Sequence, residues 1–490
     1  MGIFDFFKKK NDIMKLSTIL MLICLLYISC NRPKQQGVIQ SPNIIIINAD
    51  DLGYGDLGCY GSKLNKTPKL DKMAENGILL ESFYSASAMC SPSRASLLTG
   101  CYPQRVGFGR LPNVIGHVLL AGEATGLNPW EITIPEILKT KGYKTKMVGK
   151  WHLGDQPQFL PTRQGFDSFF GLPYSHDIAP DHPNNKRYSF PPLPLLSDET
   201  VIEENPDRSQ LNQRFAQEAI QFIRNNQSQP FFLYMALTIP HAPLLPPNEF
   251  LEKSDNGPYG AYVELLDYCS GLILDEIKKN GMDKNTLVVF TSDHGAYLGK
   301  IQPGNNGVLR GQKGTTYEGG MRVPGIIQWN GKIKAGSISN EIITQMDLLP
   351  TIASLANATL PHDRIYDGKD VSNLLLNPDK KIDEKVFLYR WMDELHGVRS
   401  GNWKLMVKIP HKPIFDKPVL YNLSEDLGEN HNVVDQNPEI VEKLMKLIID
   451  GRKDLGDVPT GTKGINNRPL GWIYDARTLV SMPVKSSIVY

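Results

Sequence analysis

Three groups of residues have the types and spacing to do chemistry. Asp50-Asp51 comes after the strand-like run of residues 42–48, which holds four consecutive isoleucines. Adjacent carboxylates repel each other unless a cation lies between them, although the same pair could simply cap the following turn. Thr291-Ser292-Asp293-His294-Gly295 brings a third acid and an imidazole to the end of another apolar run, with a glycine that permits a tight turn. These residues could offer three carboxylates and one ring nitrogen to a single metal ion. Oxygen-rich ligation favours Ca²⁺ or Mg²⁺, whereas the imidazole is more natural for Mn²⁺ or Zn²⁺. The third group is Cys90-Ser91-Pro92-Ser93-Arg94. Pro92 suits the first turn of a helix and Ser91 reads as its N-cap, which places Cys90 just before the N-terminus. An anion there meets free backbone N–H groups and the positive end of the helix dipole, and Arg94 is one turn away. The combination is an oxyanion pocket with a candidate nucleophile at its mouth.

Such groups need a frame that delivers them to one place. Residues 43–48 read as a strand buried on both faces, and similar runs recur at 146–149, 231–237, 287–291 and 323–329. Helix-period segments lie between them at 69–76, 93–98, 134–141, 212–225, 260–279 and 346–356. The alternation predicts an α/β domain over residues 42–385, with a mostly parallel sheet sandwiched by helices. Both acid pairs then sit at carboxyl ends of strands, where open α/β sheets bind ligands. Residues 386–490 differ. Short strands at 386–390, 397–399, 403–407 and 419–421 precede one amphipathic helix at 438–455, predicting a smaller antiparallel sheet with a packed helix. From 456 onward the chain reads as an irregular tail, and no internal repeat is evident.

Composition excludes several classes. With 53 Lys+Arg against 52 Asp+Glu over 490 residues, the net charge of +1 gives no electrostatic basis for a nucleic-acid partner. The six cysteines (24, 30, 59, 90, 101 and 269) are too few for a disulfide-built scaffold, and no Cys-x-x-Cys pair suggests structural zinc. Lys8, Lys9, Lys10 and Lys15 precede an apolar run of 14 residues (16–29), shorter than the ~20 needed to span a bilayer. Residues 1–30 therefore read as a signal peptide followed by a polar linker, 31–41. Ser29-Cys30 at the end of the run resembles a bacterial lipoprotein signal, in which the cysteine is lipidated, although Tyr27 stands where a Leu-like residue is usual. Soluble secretion with cleavage elsewhere is the other reading. Both Met1 and Met14 fit as the start. Either way the protein is expected outside the cytoplasm, periplasmic or at the cell surface, where Cys90 could instead pair with Cys59 or Cys101 as a disulfide.

Cys90-x-Pro92-x-Arg94, continuing to Gly100, resembles the signature of the type I, formylglycine-dependent sulfatases. Other strings match that family in order: residues 48–55, 149–154, Pro240-His241-Ala242-Pro243, and 311–322. The likeness runs from residue 43 to about 430. The strings at 159–166, 171–177 and 314–322 resemble those of arylsulfatase A and N-acetylgalactosamine-6-sulfatase.

The resemblance implies an alkaline-phosphatase-like fold and hydrolysis of sulfate esters, with sulfated carbohydrates as the expected substrates. It implies that a separate sulfatase-maturing enzyme oxidises Cys90 to formylglycine, whose hydrate attacks sulfur and then collapses to expel sulfate. It implies a metal site of Asp50, Asp51, Cys90, Asp293 and His294, and it favours Ca²⁺ over Mg²⁺ or Mn²⁺. Relatives often carry Asn where this chain has His294. Carried over by motif, Arg94 and the metal would stabilise the attacking oxygen. Lys150, His152 and Lys313 would contact the sulfate and leaving oxygens, Ser175 would add a hydrogen bond, and His241 would act as general acid. Substrate specificity is expected from loops 176–194 and 396–418. Two other readings stay open at this point: a phosphate or phosphonate ester hydrolase of the same superfamily, and a lipoprotein that binds sulfated glycans without cutting them.

Overall fold

The computed structural model describes residues 41–110 and 118–479. The expected signal peptide, Cys30, nearly all of the linker and residues 480–490 of the tail lie outside the described residues. No helix among those described is long and apolar enough to cross a membrane.

The dominant element is a ten-stranded mixed sheet. Its strands in chain order are β1 (Asn43–Asp50), β2 (Ile78–Leu80), β3 (Lys144–Lys150), β4 (Ser168–Leu172), β5 (Pro194–Ser197), β6 (Thr200–Glu204), β7 (Phe231–Pro240), β8 (Thr286–Ser292), β9 (Gly325–Gln328) and β10 (Ser337–Ser339). Their spatial order is β10-β2-β9-β8-β1-β7-β3-β4-β5-β6. The central five, β8 to β4, are parallel, while β9 pairs antiparallel with both β8 and β2, and β5 with both β4 and β6.

Alternation along β1 explains the layering. Ile44 and Ile46 point to one side, together with Leu97, Leu98 and Ile352, while Ile45 and Ile47 point to the other, with Leu70, Phe215 and Leu266. On the first side the partners come from helices α2 (Cys90–Thr99) and α6 (Leu348–Leu355), joined by Ile134 and Leu138 of α3 (Ile134–Lys139); on the second they come from α1 (Pro68–Glu75), α4 (Leu211–Asn225) and α5 (Gly257–Lys279). All four isoleucines are fully buried, so β1 lies in the middle of both cores.

A second sheet of four antiparallel strands follows: β11 (Val386–Trp391), β12 (Glu394–Ser400), β13 (Trp403–Met406) and β14 (Val419–Asn422), covered by α7 (Pro438–Leu455). From Pro42 onward the chain folds as one unit. The two sheets are tied by a buried charge cluster. Lys404 Nζ on β13 lies 3.1 Å from Glu318 Oε1 and 2.8 Å from Glu429 Oε1, and it donates to the Thr316 carbonyl at 3.0 Å. The hydroxyls of Tyr84 and Tyr389 donate to the same Glu318 carboxylate. This cluster fixes the segment that carries Lys313. Removing one partner of a buried pair typically costs about 3–5 kcal/mol. Lys404→Ala is therefore expected to lower the urea midpoint by a corresponding amount, and an unchanged midpoint would show that the cluster is not a tether.

Two expectations are corrected here. Helix α2 begins at Cys90 itself, and Met89 holds the N-cap position without a side-chain cap. Ser91 Oγ instead accepts the Leu119 N–H at 3.1 Å, satisfying a loop donor rather than the helix end. The second expected specificity loop is also misplaced. His396 is a fully buried residue of β12, held by Thr316 Oγ1 and Glu394 Oε2, both at 3.0 Å.

Candidate active site

Adjacent strands deliver the site residues at their carboxyl ends. Asp50 closes β1, Lys150 closes β3, Asp293 follows β8 and His241 follows β7. Asp51 takes a left-handed backbone (φ 66°), which Asp tolerates better than most residues, and its N–H donates to Asp293 Oδ1 at 3.1 Å. Gly149 next to Lys150 has φ 99°, and a Cβ there would lie 1.9 Å from the Ala236 carbonyl oxygen, so only glycine allows β3 to end beside β7.

The acids and cations interlock. Arg94, 1 % exposed, donates to Asp293 Oδ2 at 3.0 Å and to the Lys150 carbonyl at 2.9 Å, and its guanidinium lies 3.2 Å from Asp50 Oδ1. Lys150 Nζ donates to Asp50 Oδ2 at 2.7 Å and to Ser175 Oγ at 3.1 Å. Lys313 Nζ donates to both oxygens of Asp51, at 2.7 and 2.8 Å. Burial alone would raise the carboxyl pKa values. Lys150, with His241 and Arg94, outweighs it at Asp50 and holds that group well below its ordinary value. Lys313, with His241 and His294, brings Asp51 down to about 2. Both are therefore ionised and available to a cation.

One ligand atom each from Asp50, Cys90, Asp293 and His294 lies within 4.8 Å of the others. His294 Nδ1 bonds the Gly295 carbonyl at 3.0 Å, so a neutral ring turns its Nε2 lone pair inward. That nitrogen lies 3.2 Å from Cys90 Sγ, 3.2 Å from Asp51 Oδ1 and 3.6 Å from Asp293 Oδ1. A lone pair facing two carboxylates is repulsive without a positive charge between them. The donor set therefore fits a divalent cation, with His294 oriented through its second nitrogen as metal-ligating imidazoles are.

Beside the acids a cavity of about 250 Å³ opens, lined by Cys90, His152, Ser175, Asp177, His241 and Lys313 together with His182, Tyr188 and Phe190. Cys90 is a free thiol, as are Cys59 and Cys101, so the disulfide reading fails. The expected catalytic and metal residues thus meet in one place. The loop 176–194 contributes to the cavity wall, whereas none of the lining residues comes from 396–418. Sequence reading missed Gln302, whose amide donates to Asp51 Oδ2 at 3.0 Å, because no local motif marks it. Asp177, inside the expected specificity loop 176–194, lines the cavity, and His176 packs edge-on against His241 at 5.6 Å.

This α/β arrangement, with carboxylates, cations and imidazoles gathered at strand ends, defines a hydrolase class suited to anionic esters. A family model for sulfatases matches residues 42–358, and one for the C-terminal part of N-sulphoglucosamine sulphohydrolase matches 311–454. Human arylsulfatase A is 38% identical over 458 residues, covering 84% of this chain and 87% of its own. N-acetylgalactosamine-6-sulfatase from Canis lupus familiaris is 42% identical over 382 residues, covering 75% and 72%. The solved structure of Ps i-CgsB in complex with k-i-k-neocarrahexaose superposes with a TM-score of 0.74 at 30% identity, covering 86% of this chain and 94% of that one. The chain belongs to the sulfatase family, and its reaction is the hydrolysis of sulfate esters.

Proposed function

We propose that this enzyme removes sulfate from sulfated carbohydrates outside the cytoplasm, using formylglycine made from Cys90 and a bound Ca²⁺, with Mg²⁺ or Mn²⁺ as the alternatives. The observation that carries the proposal is the convergence of Cys90, Asp50, Asp293 and His294, with Asp51 3.2 Å from His294 Nε2, beside a cavity lined by Lys313 and imidazoles. The carbohydrate assignment is supported by the relative named for N-acetylgalactosamine-6-sulfate and by the neocarrahexaose bound to the solved relative. The need for modification is supported by the state of the thiol: burial pushes the Cys90 pKa far up despite nearby Lys150 and Lys313, which suppresses the thiolate.

Oxidised and hydrated, residue 90 would supply an oxygen nucleophile, and the cation held by Asp50, Asp51, Asp293 and His294 would supply positive charge beside it. The chain's own residues do the rest. Arg94 spans Asp50 and Asp293 and so holds the ligand carboxylates in register. Lys150, Lys313 and Ser175 are placed to meet the charge that spreads over the SO₃ oxygens in the transition state. His241 Nδ1–H donates to the Ala242 carbonyl, so Nε2 would deliver a proton to the departing alcohol from the doubly protonated ring. His152 is reassigned. Burial, reinforced by Lys150 and Arg94, holds its pKa well below the ordinary value, and its Nε2 bonds the Leu119 carbonyl at 2.9 Å. Its Nδ1 has no partner, so it is suited to receive a proton rather than to donate one to sulfate.

Export, lipidation at Cys30 and action of a maturing enzyme on the Cys90-x-Pro92-x-Arg94 string belong to the same proposal, supported by the leader's composition and by that string. Turnover of matched aryl sulfate and aryl phosphate by matured protein tests the reading; preference for phosphate would overturn it. His241→Ala is expected to reduce kcat by about 10²–10⁴-fold for sulfated sugars, whose alcohols leave poorly, and much less for activated aryl sulfates. Equal losses would remove the general-acid role.

A further inference from the structure

A cavity built for an anion should avoid negative charge, yet Asp177 lines it and is the one acid among the described residues that do. Its Oδ1 has no hydrogen-bond partner, and its Oδ2 lies 3.9 Å from His182 Nε2. Burial opposes its ionisation, but His241, His176 and the Ser175 hydroxyl outweigh that and hold the carboxyl well below its usual range. The neighbouring imidazoles balance that charge, but Oδ1 is left without a donor from the protein and is open to one from a bound ligand. An ionised carboxylate only accepts hydrogen bonds, and its complement is a donor that carries no negative charge. Ser175, two residues earlier, contacts Lys150 at the sulfate end. The wall beyond Asp177 carries Asn184, Tyr188 and Phe190; the last two rings stack at 5.0 Å, with His182 edge-on to Phe190 at 5.3 Å. Hydroxyl acceptor and aromatic surface together suit the polar edge and C–H face of a sugar ring.

We propose that Asp177 is a specificity residue that accepts hydrogen bonds from ring hydroxyls of an uncharged sulfated hexose and disfavours uronic acids at the ring bearing the ester. The inference rests on the sulfated-carbohydrate reading above and narrows it. The test uses full-length matured protein, para-nitrophenyl sulfate, and a panel of galactose-6-sulfate, N-acetylgalactosamine-6-sulfate, glucose-6-sulfate and iduronate-2-sulfate. The best sugar is expected to lack a carboxylate, and Asp177→Asn should lower its kcat/KM about tenfold more than that of the aryl sulfate. Preference for iduronate-2-sulfate, equal losses on sugar and aryl substrates, or no loss would overturn the inference. Should the variant fail to fold, deoxy analogues of the best sugar decide the matter on the wild type: loss of one ring hydroxyl should cost about tenfold, and uniform turnover would refute the role. Aryl turnover without any sugar turnover would defeat this inference alone. Absence of aryl turnover from protein with converted Cys90 would take down the sulfatase reading as well.

Discussion

Cys90→Ala is expected to cut kcat/KM for para-nitrophenyl sulfate by ~10⁴-fold or more while leaving the fold in place, as loss of a nucleophile does where catalytic groups act as a unit. Cys90 is 2 % exposed at the start of α2, and alanine suits a helix at least as well, so the structural change is one lost sulfur in a packed site. The remaining pocket would still hold sulfate through Lys150, Lys313 and Ser175. KM is therefore expected to move far less than kcat. A substantial residual kcat would mean that water, or another side chain, attacks sulfur directly.

The second large effect is on stability. Arg94→Ala would leave Asp50 and Asp293, both fully buried, without the guanidinium that bridges them. Stranding buried charge in this way costs about 3–5 kcal/mol. Arg94→Lys is expected to recover only part of it, because an ammonium cannot reproduce the planar fork that reaches two carboxylates and the Lys150 carbonyl. A ligand that binds only the folded state raises stability. The melting temperature of Arg94→Ala should therefore fall more steeply on chelation than that of the wild type. Equal chelator shifts would show that Arg94 and the cation do not share the carboxylates.

Much of this was legible because the chemistry is local in sequence. The isoleucine run of β1 leads straight into Asp50 and Asp51, and the Cys90–Arg94 spacing is one helical turn. Strands β8, β1, β7 and β3 and helix α7 were visible for the same reason, since full burial writes a continuous apolar run and an amphipathic helix writes a 3.6-residue period, whereas β4 was not read as a strand. What escaped was non-local or short. Strands β2 and β10 have three residues each, too few to show a period. Gln302 reaches Asp51 from 251 positions away, and Lys404 meets Glu318 across 86. His396 was expected in a loop although Leu395 and Val398 flank it, and Thr316 and Glu394 satisfy its ring within a strand. Ser91 read as a cap because Ser before Pro usually is one; the Leu119 N–H claimed it instead.

The most direct test pairs two readings on the same samples. Protein is made with and without a sulfatase-maturing enzyme, and mass spectrometry of the peptide containing Cys90 gives the fraction converted from thiol to aldehyde. Specific activity against para-nitrophenyl sulfate is expected to rise in proportion to that fraction and to vanish where it is zero. Full activity in a sample whose Cys90 is entirely thiol would contradict the proposed chemistry.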